Sequence, residues 1–209
     1  MKAELTVTGN PGPADWEPLA ARAVTLAGRC QEGWAALSEG VLSVACTVAR
    51  SDLHDLRRDV VVHAPDGGVL GQLGEVSFLV AEEVAACEAG LRQLLEGAHI
   101  EFATASAELL PASRPLLERI AGVARSCPGT LRIEGHTDGV GPVAANARLS
   151  AARAETVRDA LVKRGLAPDR LVAEGFGPSR PVASNDTADG RARNRRIEFH
   201  VVRARGDQP

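Results

Sequence analysis

Apolar positions in the second half of the chain follow two different periods. Leu131 and Ile133 alternate with polar neighbours in TLRIEGH, and Ile197, Phe199 and Val201 do the same in RRIEFHVV. A period of two predicts strands with one buried face. RLVAEGFG reads as a further strand and HIEF, residues 99–102, as a short one. Between them the period lengthens to three and four. Leu116, Leu117, Ile120 and Val123 line one face of a helix predicted over 111–125. A second helix is predicted over 143–164, with Gly165 placed to end it, and DGRARN reads as a loop or short helix. Upstream, Val80, Val84, Cys87, Leu91 and Leu94 recur at helical steps up to Gly97. Strands alternating with helices predict an α/β fold, an α+β sandwich with helices packed on a sheet.

The first part carries a faint repeat at an offset of 37 residues. LTVTG at 5–9 matches LSVAC at 42–46, Asp15 matches Asp52, Trp16 matches Leu53, and Leu19 matches Leu56. Each copy reads as a strand followed by a helix, with Asp15 and Ser51 as N-caps, and DVVVHA at 59–64 closes the second copy. Tandem βα(β) units fit this pattern, and so does chance similarity among Leu, Val and Asp. APDGGVLGQLGE, residues 64–75, is rich in Gly and reads as a turn or linker. The expected organisation is therefore a small βαβ-repeat domain over 1–76, a linker helix plus a second domain over 77–202, and a disordered tail over 203–209.

Composition narrows the function classes. The chain has 209 residues, 44% hydrophobic and 24% charged, enough for packed cores. A net charge of -3 gives no general attraction to nucleic acid or anionic lipid. With two Trp, four Phe and no Tyr there is little to stack bases or sugar rings on. No apolar run approaches the roughly 18 residues of a spanning helix, and MKAELTVTGN has no signal-peptide core. Cys30, Cys46, Cys87 and Cys127 form no CxxC pair, which argues against zinc. Four buried thiols and two disulfides both remain open, the latter with three possible connectivities.

Catalytic signatures are missing. There is no GxSxG, no phosphate-cradling glycine loop, and the five histidines are scattered, so neither an enzyme, a metal nor a cofactor is expected. His136 and Asp138 sit two residues apart at a strand end and could form an acid/base pair; the favoured reading is that His136 helps hold the loop. GRARNRRIEF is basic, but short and free of loop aromatics, which fits a solvated turn or a site for one anion better than nucleic acid. Asp138 opens a Gly/Pro turn, and the following helix carries Asn146 and Arg153 on nearly one stripe, roughly 10 Å apart along its axis. An anion and a guanidinium at one rim suit a zwitterion, with the carboxylate accepting from an ammonium and the guanidinium forking onto a carboxylate. A plain Asp138–Arg153 surface salt bridge fits the same spacing.

The motifs GHTD, NARLSAARA, EGFG and GRARNRRIE, in this order over residues 100–202, closely resemble the OmpA-like peptidoglycan-binding domain. The resemblance implies a β/α/β/α/β–β domain with helices on a mixed sheet, and non-covalent binding of the peptidoglycan stem peptide. It implies that Asp138 and Arg153 grip the amino-acid-like end of a diaminopimelate residue. Asn146, Thr137, and Arg195 or Arg196 would line the same groove. The family's first loop often carries an Asp after its Phe, whereas this chain has FATASAEL, leaving backbone amides or Ser106 to substitute. The N-terminal half resembles tandem BON units, small βαβ modules of cell-envelope proteins. An envelope or periplasmic location, associated with the outer membrane, follows from these resemblances. It turns the cysteine reading towards Cys87–Cys127 and Cys30–Cys46 disulfides. The expected function is anchoring an envelope component to the cell wall. The alternative is a structural or assembly factor whose N-terminal half binds a membrane or a protein partner.

Overall fold

A computed structural model describes residues 16–38, 41–59 and 72–202. The chain divides into two compact units between Glu83 and Val84. No helix among the described residues is long and apolar enough to cross a membrane.

In the first unit, α1 (Trp16–Gly28) precedes a sheet of order β1-β2-β3, formed by β1 (Glu32–Ser38), β2 (Val41–Val48) and β3 (Gln72–Val80), with α2 (Leu53–Asp59) between β2 and β3. β1 and β2 form an antiparallel hairpin that the apolar pattern did not reveal. EGWAALS lacks a clean alternation, and its strand state comes from pairing with β2, whose alternate residues Leu42, Val44, Cys46 and Val48 are fully buried. β2 and β3 run parallel, so β2–α2–β3 is one βαβ crossover. Its returning strand begins at Gln72, which corrects the expectation of a linker through residue 75. Asp59 ends α2, so it does not open a strand; residues 60–64, the strand at 5–9, the Asp15 cap and the tail 203–209 lie outside the described residues. Ser51 Oγ donates to the Asp52 carboxylate ahead of α2. Leu26, Leu42, Val44 and Leu56 form the core together with Cys30 and Cys46, which are joined as a disulfide.

The second unit is an α/β layer with helices packed on a mixed sheet. α3 (Ala81–Glu96) leads in, followed by a 3-10 turn (Pro111–Ser113) and α4 (Arg114–Ser126). Then come β4 (Leu131–His136), α5 (Val143–Val162), β5 (Leu171–Gly177), α6 (Ala188–Asn194) and β6 (Ile197–Val201). The sheet order is β5-β4-β6, with β4 parallel to β5 and antiparallel to β6. Residues 99–102 do not form the expected strand; only Phe102 makes an isolated bridge, to Leu109. Cys87 of α3 and Cys127 after α4 form the second disulfide, with Cα atoms 5.2 Å apart.

Why α5 lies where it does is written in small side chains. Gly135 of β4 and Gly175 of β5 face Ser150 and Ala151 of α5 so closely that a Cβ would lie 2.1 Å from Ser150 O and 2.2 Å from Ala151 N, respectively. Only glycine permits that approach. Ser150 Oγ locks it, accepting from Gly177 N–H at 2.9 Å and donating to Ala147 O at 2.8 Å. The far end of α5 closes as expected at Gly165, φ +89°: Gly165 N–H donates to Val162 O and Leu166 N–H to Leu161 O. The tight seat brings the first turns of α5 against the loop that leaves β4.

Candidate functional site

β4 ends at His136, and the chain turns over Thr137, Asp138, Gly139 and Val140 towards α5. Thr137 is buried; its N–H donates to Gly177 O at 2.9 Å, and its hydroxyl donates to Asp138 O at 3.0 Å. Asn146 Nδ2 donates to the carbonyls of Asp138 (3.4 Å) and Val140 (3.0 Å), stapling the turn to α5. From the other side, Asn185 Oδ1 accepts from Gly139 N–H at 3.0 Å and from Asn194 Nδ2 at 2.8 Å. Asn194 is fully buried, and its Oδ1 accepts from both Val182 and Ala183 N–H. Asn185 and Asn194 therefore fix the turn, yet no periodicity marks them; Asn194 is legible only as part of the NRR motif.

The Asp138 carboxylate, 14% exposed, accepts from Val140 N–H at 3.1 Å and from Arg195 Nη1 at 2.7 Å. Burial alone would raise its pKa, but the Arg195 and Val140 hydrogen bonds and the charges of Arg195 and Arg191 outweigh it and hold the pKa below the usual carboxylate value. Asp138 is thus an anion at neutral pH. The alternative reading, a surface bridge from Asp138 to Arg153, does not form among the described residues; Arg195 is the partner.

Arg153 is half-buried on α5. Its Nε donates to Ser106 O at 2.9 Å, and its guanidinium carbon lies 5.0 Å from the centre of the Phe102 ring. Nη1 and Nη2 have no hydrogen-bond partner among the described residues. Burial lowers the Arg153 pKa, Arg195 lowers it further, and Asp138 opposes both, so the three charges sense one another. The loop that supplies Ser106 is held by Ala103 N–H to Glu108 O (2.9 Å) and Glu108 N–H to Ser106 Oγ (3.0 Å), with Ala105 at φ 51°. FATASAEL therefore supplies a carbonyl that aims Arg153. Arg196 is turned elsewhere: it donates to Glu198 (2.5 Å), Asn194 O (3.3 Å) and Arg180 O (3.1 Å).

Behind the turn lies a buried polar cluster. His136 is stacked on Phe176 at 5.6 Å, and neither ring nitrogen has a hydrogen-bond partner. Burial, with help from Arg196 and Arg180 and against Glu198 and Glu134, lowers the His136 pKa to about 4. The neutral, enclosed ring is packed on Phe176 and makes no hydrogen bond with Asp138 among the described residues, so no acid/base pair is formed there. Glu134, His136 and Glu198 bring one donor atom each within 4.8 Å of one another, a possible metal set. Their carboxylates already receive Arg132 (2.8 Å), Arg180 (3.0 Å) and Arg196, so a dication would enter a cluster whose negative charge is spent.

The OmpA family model matches residues 101–195. The peptidoglycan-binding protein ArfA of Mycobacterium tuberculosis is 43% identical over 106 residues, 50% of this chain and 32% of that protein. Outer membrane protein A of Bordetella avium is 45% identical over 98 residues, 46% of this chain and 50% of that protein. The solved cell wall anchor of the T6SS from Pseudomonas aeruginosa is 40% identical with a TM-score of 0.44, covering 49% of this chain and 74% of that one. Over about half of its length the chain is thus similar to proteins of the OmpA family. It spans from about a third to a half of the length of these two curated relatives.

Proposed function

We propose that the C-terminal unit binds peptidoglycan non-covalently through the diaminopimelate of its stem peptide, anchoring an envelope component to the cell wall. The observation that carries this reading is the state of Arg153: its Nε is spent on Ser106 O, while Nη1 and Nη2 are unpartnered beside an ionised Asp138. The free end of diaminopimelate presents an ammonium and a carboxylate on one carbon. The guanidinium fork takes the carboxylate, and Asp138 takes the ammonium in place of, or alongside, Arg195. Thr137 and Asn146 hold the turn that carries Asp138. The names of the relatives, a peptidoglycan-binding protein and a cell wall anchor, support the same ligand class.

Calorimetric titration of the full chain with a diaminopimelate-containing muropeptide tests the proposal. Binding is expected for wild type and lost in Asp138→Ala and Arg153→Ala. A stem peptide with lysine at that position keeps the ammonium but lacks the carboxylate. The lost charge-assisted contact, about 1.5–3 kcal/mol, should weaken binding at least tenfold. Wild type that ignores the muropeptide, or variants that bind it equally well, would overturn the reading.

A further inference from the structure

The far end of α5 borders a cleft of about 380 Å³, set between the last turns of that helix and the segment that opens α4. Leu109, Leu110 and Leu117 form its apolar side; Leu117 is buried and Leu110 exposed. Arg114, Asp159, Lys163 and Arg164 bring charge to it. Arg164 lies about 16 Å along the α5 axis from Arg153, so the cleft is separate from the clamp.

Two of these four charges are neutralised locally. Asp159 accepts from Arg158 through Nε at 3.1 Å and Nη2 at 2.9 Å, and Arg164 Nε lies 2.9 Å from the Glu118 carboxylate. The side chains of Arg114 and Lys163 make no hydrogen bond or ion pair among the described residues. Glu108 and Glu155 are neighbours in sequence of lining residues but do not line the cleft themselves. Two positive charges without a counter-ion therefore stand beside the leucines. Free carbonyls at the end of α5 would repel an anion, but these are occupied. Ala160 O accepts from Arg164 Nη1, Leu161 O from the Arg164 and Leu166 N–H groups, and Val162 O from Gly165 N–H.

We infer that this cleft binds a phosphate monoester bearing a short apolar group. A monoester carries nearly two negative charges at neutral pH, which matches the two free cations. A carboxylate carries only one. The Arg114 guanidinium offers a planar fork for two phosphate oxygens, and the Lys163 ammonium a point charge for the third. The leucines then cover the apolar substituent. Soluble phosphomonoesters and a phosphatidate headgroup share this chemistry. The inference is independent of the diaminopimelate clamp.

The test uses the full chain, ¹⁵N-labelled, titrated above about pH 7, where the phosphate is mostly a dianion. Hexyl phosphate at millimolar concentration should shift the amides of Leu110, Arg114, Ala160 and Lys163. Hexanoate, which has a similar tail and one charge, and inorganic phosphate, which has no tail, should each bind at least tenfold more weakly. Arg114→Gln and Lys163→Gln, both exposed changes, should each weaken hexyl phosphate binding at least tenfold. Phosphatidylcholine vesicles containing phosphatidate form the second arm. Capture by them that both variants reduce assigns the lipid source, and hexyl phosphate binding without capture assigns a soluble one. The inference is overturned if hexyl phosphate shifts none of these amides, or if both variants bind it as wild type does. It is equally overturned if hexanoate or inorganic phosphate binds as tightly. Muropeptide binding measured on the same samples should be unchanged in both variants, which separates failure here from failure of the clamp.

Discussion

Acidification should destabilise this protein through one buried ring. The His136 side chain is 1% exposed, and burial is the main reason its pKa falls from 6.5 to about 4. Unfolding returns the ring to water, where it binds a proton at its ordinary value. A folded pKa below the unfolded one means that the unfolded state holds more protons between the two. The stabilisation is therefore complete above pH 6.5 and disappears as pH falls towards 4. The gap is worth about 2 kcal/mol by pH 5 and about 3 kcal/mol by pH 4. Glu198, whose pKa is lowered chiefly by its hydrogen bond with His200, adds its own loss only below the ordinary carboxylate range. His200 itself is raised by Glu198, so its effect falls above pH 6.5 and does not contaminate the window. His136→Phe keeps a flat ring on Phe176 and removes both orphaned nitrogens. Urea unfolding at pH 7, 6, 5 and 4.5 should give wild type a falling stability and the variant a nearly flat one, within about 1 kcal/mol of wild type at pH 7. An equal slope in the two proteins would refute the reasoning.

Other consequences are as direct. Opening Cys87–Cys127, which closes a separation of 40 residues, should cost about 4 kcal/mol, and opening Cys30–Cys46, with a separation of 16, about 3 kcal/mol; paired Cys→Ser variants in chemical unfolding measure both. Gly175→Ala drives a methyl into the backbone of α5 and should lower both stability and muropeptide affinity, whereas Gly122→Ala in α4, with open space around it, should stabilise by about 0.4–1 kcal/mol. Asn194→Ala leaves the Val182 and Ala183 N–H groups unpaired and should cost about 1–3 kcal/mol by thermal unfolding while loosening the Asp138 turn. Because the Asp138 pKa lies below the usual carboxylate value, muropeptide binding should hold from pH 8 to pH 5 and fail only in stronger acid; loss already at pH 6 would contradict an ionised Asp138.

Local chemistry determined much of the second unit in advance. β4, β5 and β6 follow from alternation or apolar content, α4 and α5 from helical spacing, and the end of α5 from Gly165. Asp138 and Arg153 were legible as the residues to watch because their motifs are short and contiguous. What distant segments decide was not legible. β1 is a strand because β2 lies beside it, and residues 72–75 join β3 because β2 offers an edge. HIEF carries a strand-like pattern but pairs only at Phe102. The family resemblance placed Arg195 near Asp138, but spacing did not show that Arg195, 57 residues away, is the ion-pair partner, or that a carbonyl 47 residues behind Arg153 aims it. Periodicity reports which face of an element is apolar, a property of neighbours along the chain. Salt-bridge partners and strand edges depend on where the chain returns, and packing alone fixes that.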